Sequence, residues 1–130
     1  MVGIVVVSHS KNLAEEIINF SMQMAKSEIK VINAGGTSDG RFGTDASKIV
    51  EAIQNVDDGS GVLILVDLGS AIMSAEMAVE FLDEELQKRV FIADAPIVEG
   101  SIAAISQASI GASLEEVKNA AEGAKAYSKK

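Results

Sequence analysis

One histidine, His9, stands in a chain of 130 residues that contains no cysteine. An imidazole with no second histidine and no thiolate for company makes a poor transition-metal site. Its chemistry would be that of a nucleophile or proton carrier. His9 sits in Val5-Val6-Val7-Ser8-His9-Ser10, at the end of a β-branched run. A second apolar run, Val62 to Val66, ends in Asp67-Leu68-Gly69-Ser70. A carboxylate that holds the proton of one ring nitrogen fixes the tautomer and stabilises the positive charge that develops when the other nitrogen attacks. Phosphoryl transfer needs little beyond positioning and charge stabilisation. His9 as nucleophile, Asp67 as orienting carboxylate, and donors in the turns at Ser10, Gly69 and Ser70 would meet that need.

Each of these residues also has a structural reading. A lone histidine is more often structural than reactive, an aspartate ending a strand is often a helix cap, and serines at helix starts usually cap. Ser8, Ser10 and Ser70 near a histidine and an aspartate allow a hydrolase triad on paper, but no Gly-x-Ser-x-Gly elbow is present. Gly35-Gly36-Thr37-Ser38-Asp39-Gly40-Arg41-Phe42 has the glycine spacing of a P-loop, with Arg41 and Phe42 where lysine and a hydroxyl residue are needed. That segment, up to Gly43, reads as a flexible, partner-facing loop.

What positions these residues is an alternation of short strands and helices. Ile4 to Val7, Ile29 to Ala34, Val62 to Val66 and Val90 to Ala93 read as strands. Asn12 reads as the cap of a first helix, with Leu13, Ile17, Phe20 and Met24 at core-facing spacing. Thr44 reads as the cap of the next, which carries Ile49, Val50, Ile53 and Val56 on one face. Further helices are expected from about Ala71 to Glu85, from Pro96 to about Ser109, and from a Ser113 cap to near Tyr127.

That pattern predicts an α/β fold: a single doubly wound parallel sheet with helices on both faces. Strands 1 and 3 are uninterrupted and apolar and belong in the middle, whereas Lys30 and Asn33 suit strand 2 to an edge. The order 2-1-3-4 follows, with right-handed crossovers. Ligands of open parallel sheets bind beyond the carboxyl ends of the strands, where strand order reverses. For this order that point lies between strands 1 and 3, where His9 and Asp67 converge. Each is followed by a helix N-terminus, which favours an anion. The convergence, rather than either residue alone, argues for a reactive pair.

Composition narrows the setting. Hydrophobic residues make up 48% and aromatics 4%, so the core is aliphatic. A formal charge of −8 and no cluster of Lys/Arg argue against nucleic acid and against anionic membrane as partners. No apolar run approaches the roughly 20 residues that a bilayer needs, and no basic leader precedes the first strand. A cytoplasmic protein is expected.

The segments Val5 to Ser10, Ala34-Gly35-Gly36-Thr37, Gly43-Thr44-Asp45, Val66 to Ala71 and Ala95 to Gly100 resemble the mannose-type IIA family of the sugar phosphotransferase system. Within it they resemble the phosphoryl-carrier subunits of phosphoenolpyruvate-dependent dihydroxyacetone kinase. The resemblance covers nearly the whole chain and looks like the single-domain form, residues 1 to 130. It implies that His9 is phosphorylated, that Asp67 hydrogen-bonds it, and that Ser70 donates to the phosphoryl group. The turn departs from the mannose-type pattern in having Ala71 where those proteins have proline. The implied partners are the phosphocarrier protein HPr, as donor, and the kinase subunit that holds ADP, as acceptor. No cofactor is implied for this chain beyond the transient phosphoryl group on His9. The rival reading is the IIA subunit of a mannose-type sugar transporter, which would phosphorylate a IIB protein. Ile97 to Leu114 carries only Glu99 as a charged residue. A helix apolar on nearly every side needs cover, so a homodimer is expected.

Overall fold

The computed structural model describes all 130 residues. Four strands, β1 (Gly3–Val7), β2 (Val31–Asn33), β3 (Val62–Val66) and β4 (Val90–Ile92), form one sheet in the order β2-β1-β3-β4. Every pairing is parallel. The helices are α1 (Lys11–Met22), α2 (Ala46–Val56), α3 (Gly69–Glu80), α4 (Glu84–Gln87), α5 (Ile97–Ser109) and α6 (Leu114–Gly123), with a 3₁₀ turn at Ala124–Ala126. The expected α/β class and strand order are what the chain adopts.

Every residue of β1 and β3 is buried, because both faces of the sheet are covered. Val5, Val7, Ile64 and Val66 point into the layer made by α2 and α3, among Ile49, Ile53, Ala71 and Ala75. Ile4, Val6, Leu63 and Leu65 point the other way, against Ala14, Ile17, Ala104, Ile105 and Val117 of α1, α5 and α6. Two uninterrupted aliphatic strands thus bind two half-cores into one body.

Several local expectations shift. Ser10, not Asn12, caps α1: its extended backbone ends the strand connection and its hydroxyl accepts from the Leu13 amide at 3.1 Å. The buried stripe of α1 is Ala14, Ile17 and Ser21, while Leu13, Phe20 and Met24 are about half exposed. The reason is the closeness of the next segment: a Cβ built on Gly35 would lie 3.0 Å from the Ala14 methyl. Only a small side chain fits there, so the helix turns its larger residues outward. Asp45, not Thr44, caps α2, accepting from the Ser47 amide at 2.9 Å. The helix expected from Ala71 to Glu85 begins two residues earlier, at Gly69, and stops at Glu80. Asp83 then caps α4 by accepting from the Leu86 amide, which makes a second helix of what looked like the tail of the first.

Candidate functional site

β1 and β3 pair in register from Gly3↔Val62 to Val7↔Val66, so Ser8 and Asp67 leave the sheet side by side. His9 comes next, and its backbone is held from two directions. Its amide donates to Asp67 Oδ2 at 2.9 Å and its carbonyl accepts from the Gly43 amide at 2.8 Å. The glycine-rich segment from Gly35 to Gly43 is therefore tied to the site. The Gly36 amide donates to the Ser8 carbonyl at 3.0 Å, Lys48 Nζ donates to the Gly35 carbonyl at 2.7 Å, and the Thr44 and Ser74 hydroxyls lie 2.6 Å apart.

The ring of His9 lies between a carboxylate and a hydroxyl. Nδ1 is 2.8 Å from Asp67 Oδ1, and Nε2 is 2.5 Å from Ser70 Oγ. Asp67 accepts four hydrogen bonds: from Nδ1 and the Leu68 amide (2.7 Å) on Oδ1, and from the His9 amide and the Ser8 hydroxyl (2.9 Å) on Oδ2. Burial pushes its carboxyl upward. The bonds from His9, Leu68 and Ser8 outweigh that and hold it below the ordinary carboxylate range. An ionised carboxylate can only accept, so the proton of the neutral ring resides on Nδ1. Nε2 then keeps its lone pair, and Ser70 donates to it. About a quarter of the His9 side chain is solvent-exposed (27%), against 13% for Asp67. The ring is reachable from solvent and the carboxylate beside it is largely sheltered.

Gly69 and Ser70 open α3, whose first amides have no acceptor within the helix. The Ser70 hydroxyl lies against Nε2 at this helix start, where the helix dipole favours negative charge. Ser10 stands apart from this cluster. Its hydroxyl caps α1 and its amide donates to Ser8 Oγ at 3.0 Å, and no hydrogen bond links it to the ring. The structure thus links His9, Asp67 and Ser70 directly, places Gly69 at the start of α3 beside Ser70, and employs Ser10 as a cap.

Residues 3–118 match the family described as PTS system fructose IIA component. The chain belongs to this family. A DhaM phosphoryl donor subunit of a PEP-dependent dihydroxyacetone kinase from Listeria innocua is 40% identical, over 90% of this chain and 94% of its own length. The corresponding subunits of Providencia stuartii and Escherichia coli are each 42% identical, over 95% and 90% of this chain. The chain spans only about a quarter of those two relatives, 27% and 25%. A crystal structure of a protein of unknown function, EF1359, superposes with a TM-score of 0.85 at 37% identity, covering 94% of this chain and 93% of the other. Such agreement at such identity makes the IIA-type fold common to both, and the DhaM subunits are this chain's relatives within the family.

Sequence reasoning undervalued two groups in this IIA-type site. Ser8 entered only as a possible hydrolase serine, yet it is fully buried and bonds Asp67 directly. Gly43 entered as the end of a loop, yet its amide fixes the His9 carbonyl. A serine directly between an apolar strand run and the only histidine was the available signal for the first. Nothing local signals the second, because a backbone donor leaves no mark on residue type.

Proposed function

We propose that this chain is a phosphohistidine carrier, taking a phosphoryl group from HPr on Nε2 of His9 and delivering it to ADP held on the kinase subunit of a dihydroxyacetone kinase. The observation that carries the reading is the locked ring: Nδ1 bound to an ionised carboxylate and Nε2 against the Ser70 hydroxyl at the start of α3. In the loading step the Nε2 lone pair attacks phosphorus, the N–P bond to the donor's histidine breaks, and a new N–P bond forms on His9. The Nδ1 proton stays in place, and Asp67 stabilises the positive charge of the substituted ring. Ser70 turns its O–H from Nε2 to a phosphoryl oxygen, joined by the Gly69 and Ser70 amides. Unloading reverses these steps with a nucleotide phosphate as acceptor. No resident cofactor is needed, since the travelling group is the phosphoryl itself.

The DhaM names of the relatives support the kinase as destination. No helix is long and apolar enough to cross a membrane, in keeping with work in the cytoplasm. A homodimer is part of the proposal. α5 is covered by α1, α6 and the sheet, but Ile102, Ala103, Ser106 and Gln107 line an open groove with Met24 and Tyr127. A second subunit would cover that strip, and a monomeric mass by sedimentation at micromolar concentration would rule it out.

The carrier reading is tested with radiolabelled phosphoenolpyruvate, enzyme I and HPr. Label is expected on the wild-type chain, lost in acid, stable in base, and absent from His9→Ala. Discharge is then followed with the kinase subunit plus ADP, or with a IIB protein. An acid-stable label, or discharge by the IIB protein alone, would refute the assignment.

A further inference from the structure

We propose that the buried hydroxyl of Ser8 is the positioning group for the Asp67 carboxylate, and through it for the His9 ring. Ser8 has no solvent exposure. A hydroxyl in such a place costs free energy unless paired, and this one is paired twice. It accepts from the Ser10 amide at 3.0 Å and donates to Asp67 Oδ2 at 2.9 Å. With an amide on its lone pair, its O–H has one useful direction, toward the carboxylate. Two other buried serines in the chain, Ser21 and Ser101, have hydroxyls without any partner, so burial of a serine does not by itself create such a link.

What Ser8 adds follows from the softness of aspartate. Rotation of a carboxylate about its last bond is broad and weakly restrained. Each Asp67 oxygen holds two donors, and the plane is fixed because both pairs are complete. Removing the Ser8 donor leaves Oδ2 with the His9 amide alone. The three remaining donors hold the plane less tightly, and the aim of Oδ1 at Nδ1 loosens. Ser8 touches neither ring nor phosphoryl group, so its action on transfer passes entirely through Asp67. It also ties the orienting carboxylate to the first amide ahead of α1, whose cap is Ser10. The site and the start of that helix share one rigid contact.

This inference rests on the reading of His9 as a phosphoryl nucleophile, and the experiment separates the two. Full-length wild type, Ser8→Ala, Asp67→Ala and the double variant are labelled with phosphoramidate. That small donor loses ammonia as its P–N bond breaks and the bond to His9 Nε2 forms. Ser8→Ala is expected to label about tenfold more slowly, since small misplacements of a reacting group are costly. In the Asp67→Ala background the same change is expected to have no further effect. Ser8→Thr, which keeps the hydroxyl, restores labelling. Nitrogen-15 NMR of the unphosphorylated ring is expected to show one tautomer in wild type, protonated on Nδ1, and a mixture in Ser8→Ala. Circular dichroism checks the fold. Ser8→Cys, a weaker donor of similar size, supplies the same comparison should the alanine variant unfold. Equal slowing in both backgrounds, or a single tautomer and wild-type labelling in Ser8→Ala, would overturn the proposal. A wild-type chain that takes no phosphoryl group from HPr would sink the carrier reading, while the tautomer measurement would still decide the role of Ser8.

Discussion

Replacing Asp67 by asparagine separates charge from shape, because the amide fits the same space with one acceptor turned into a donor. In the native site each carboxylate oxygen faces two donors. With the amide NH₂ on the Oδ1 side it meets the Leu68 N–H and Nδ1. The ring escapes only by moving its proton to Nε2, which removes the attacking lone pair. With NH₂ on the Oδ2 side it meets the His9 N–H. The Ser8 hydroxyl can turn to accept, but the amide of His9 is left unpaired. One buried unpaired N–H costs about 1–3 kcal/mol, which is roughly 5- to 150-fold if it falls on the reactive arrangement. We therefore expect Asp67→Asn to transfer about 100-fold more slowly, and to be no milder than Asp67→Ala, which leaves a gap near solvent that water can enter. In the serine-protease triad the same exchange costs about 10⁴-fold through the wrong tautomer. Less is expected here, since no proton is shuttled. The assay is single-turnover transfer from phosphorylated HPr by rapid quench, with circular dichroism on the same samples. A folded Asp67→Asn protein within about threefold of wild type would refute the tautomer argument and leave Asp67 as a structural acceptor for the His9 and Leu68 amides.

Removing the Ser70 hydroxyl (Ser70→Ala) should slow transfer on the order of tenfold, less than the roughly 100-fold or more for a sheltered oxyanion donor because this one is exposed; the phosphohistidine half-life and loading rate read it. Gly43 has a φ of 138°, and a Cβ there would lie 2.9 Å from Thr37 Cγ2. Gly43→Ala should thus lower stability by about 1–3 kcal/mol and slow loading too, through the lost grip on the His9 carbonyl. Differential scanning calorimetry and the loading assay report the two effects. Arg89 binds Asp57 through Nε (3.1 Å) and Nη2 (2.8 Å), and its guanidinium holds that carboxyl below the ordinary range. A depressed folded value means stability present above the unfolded value of about 3.9 and lost as pH falls through the folded one. Arg89→Met should lower stability at neutral pH and flatten the loss of stability below about pH 4; urea unfolding across that range would show a parallel, unflattened curve if the pair contributes nothing.

Strand order and the meeting of His9 with Asp67 were legible for the same reason. Val5 to Val7 and Val62 to Val66 are aliphatic without interruption, and only central parallel strands tolerate that. Once those two are neighbours, the residues just past their ends must meet. Helix faces were less legible. Leu13, Ile17, Phe20 and Met24 have proper helical spacing, yet Gly35 presses so close on Ala14 that the stripe turns by one residue. Close approach of backbones is a tertiary fact, and hydropathy does not encode it. The caps failed similarly: Asn12 and Thr44 are good capping types, but Ser10 and Asp45 stand at the extended residues where the helices begin.

The register of β1 on β3 explains why His9 and Asp67 meet with so few parts. Val7 is opposite Val66, and the Asp67 amide still reaches the Val7 carbonyl at 3.3 Å. The ladder therefore carries Asp67 to within bonding distance of both the amide and the ring of His9 without help from a loop. A slip of one residue would put Leu68 in that place and turn Val66 to the opposite face. The burial of Val62 to Val66 on both faces makes such a slip costly, since five aliphatic side chains would have to repack. The hydrophobic core thus sets the distance between imidazole and carboxylate, and the four hydrogen bonds on Asp67 set only the angle.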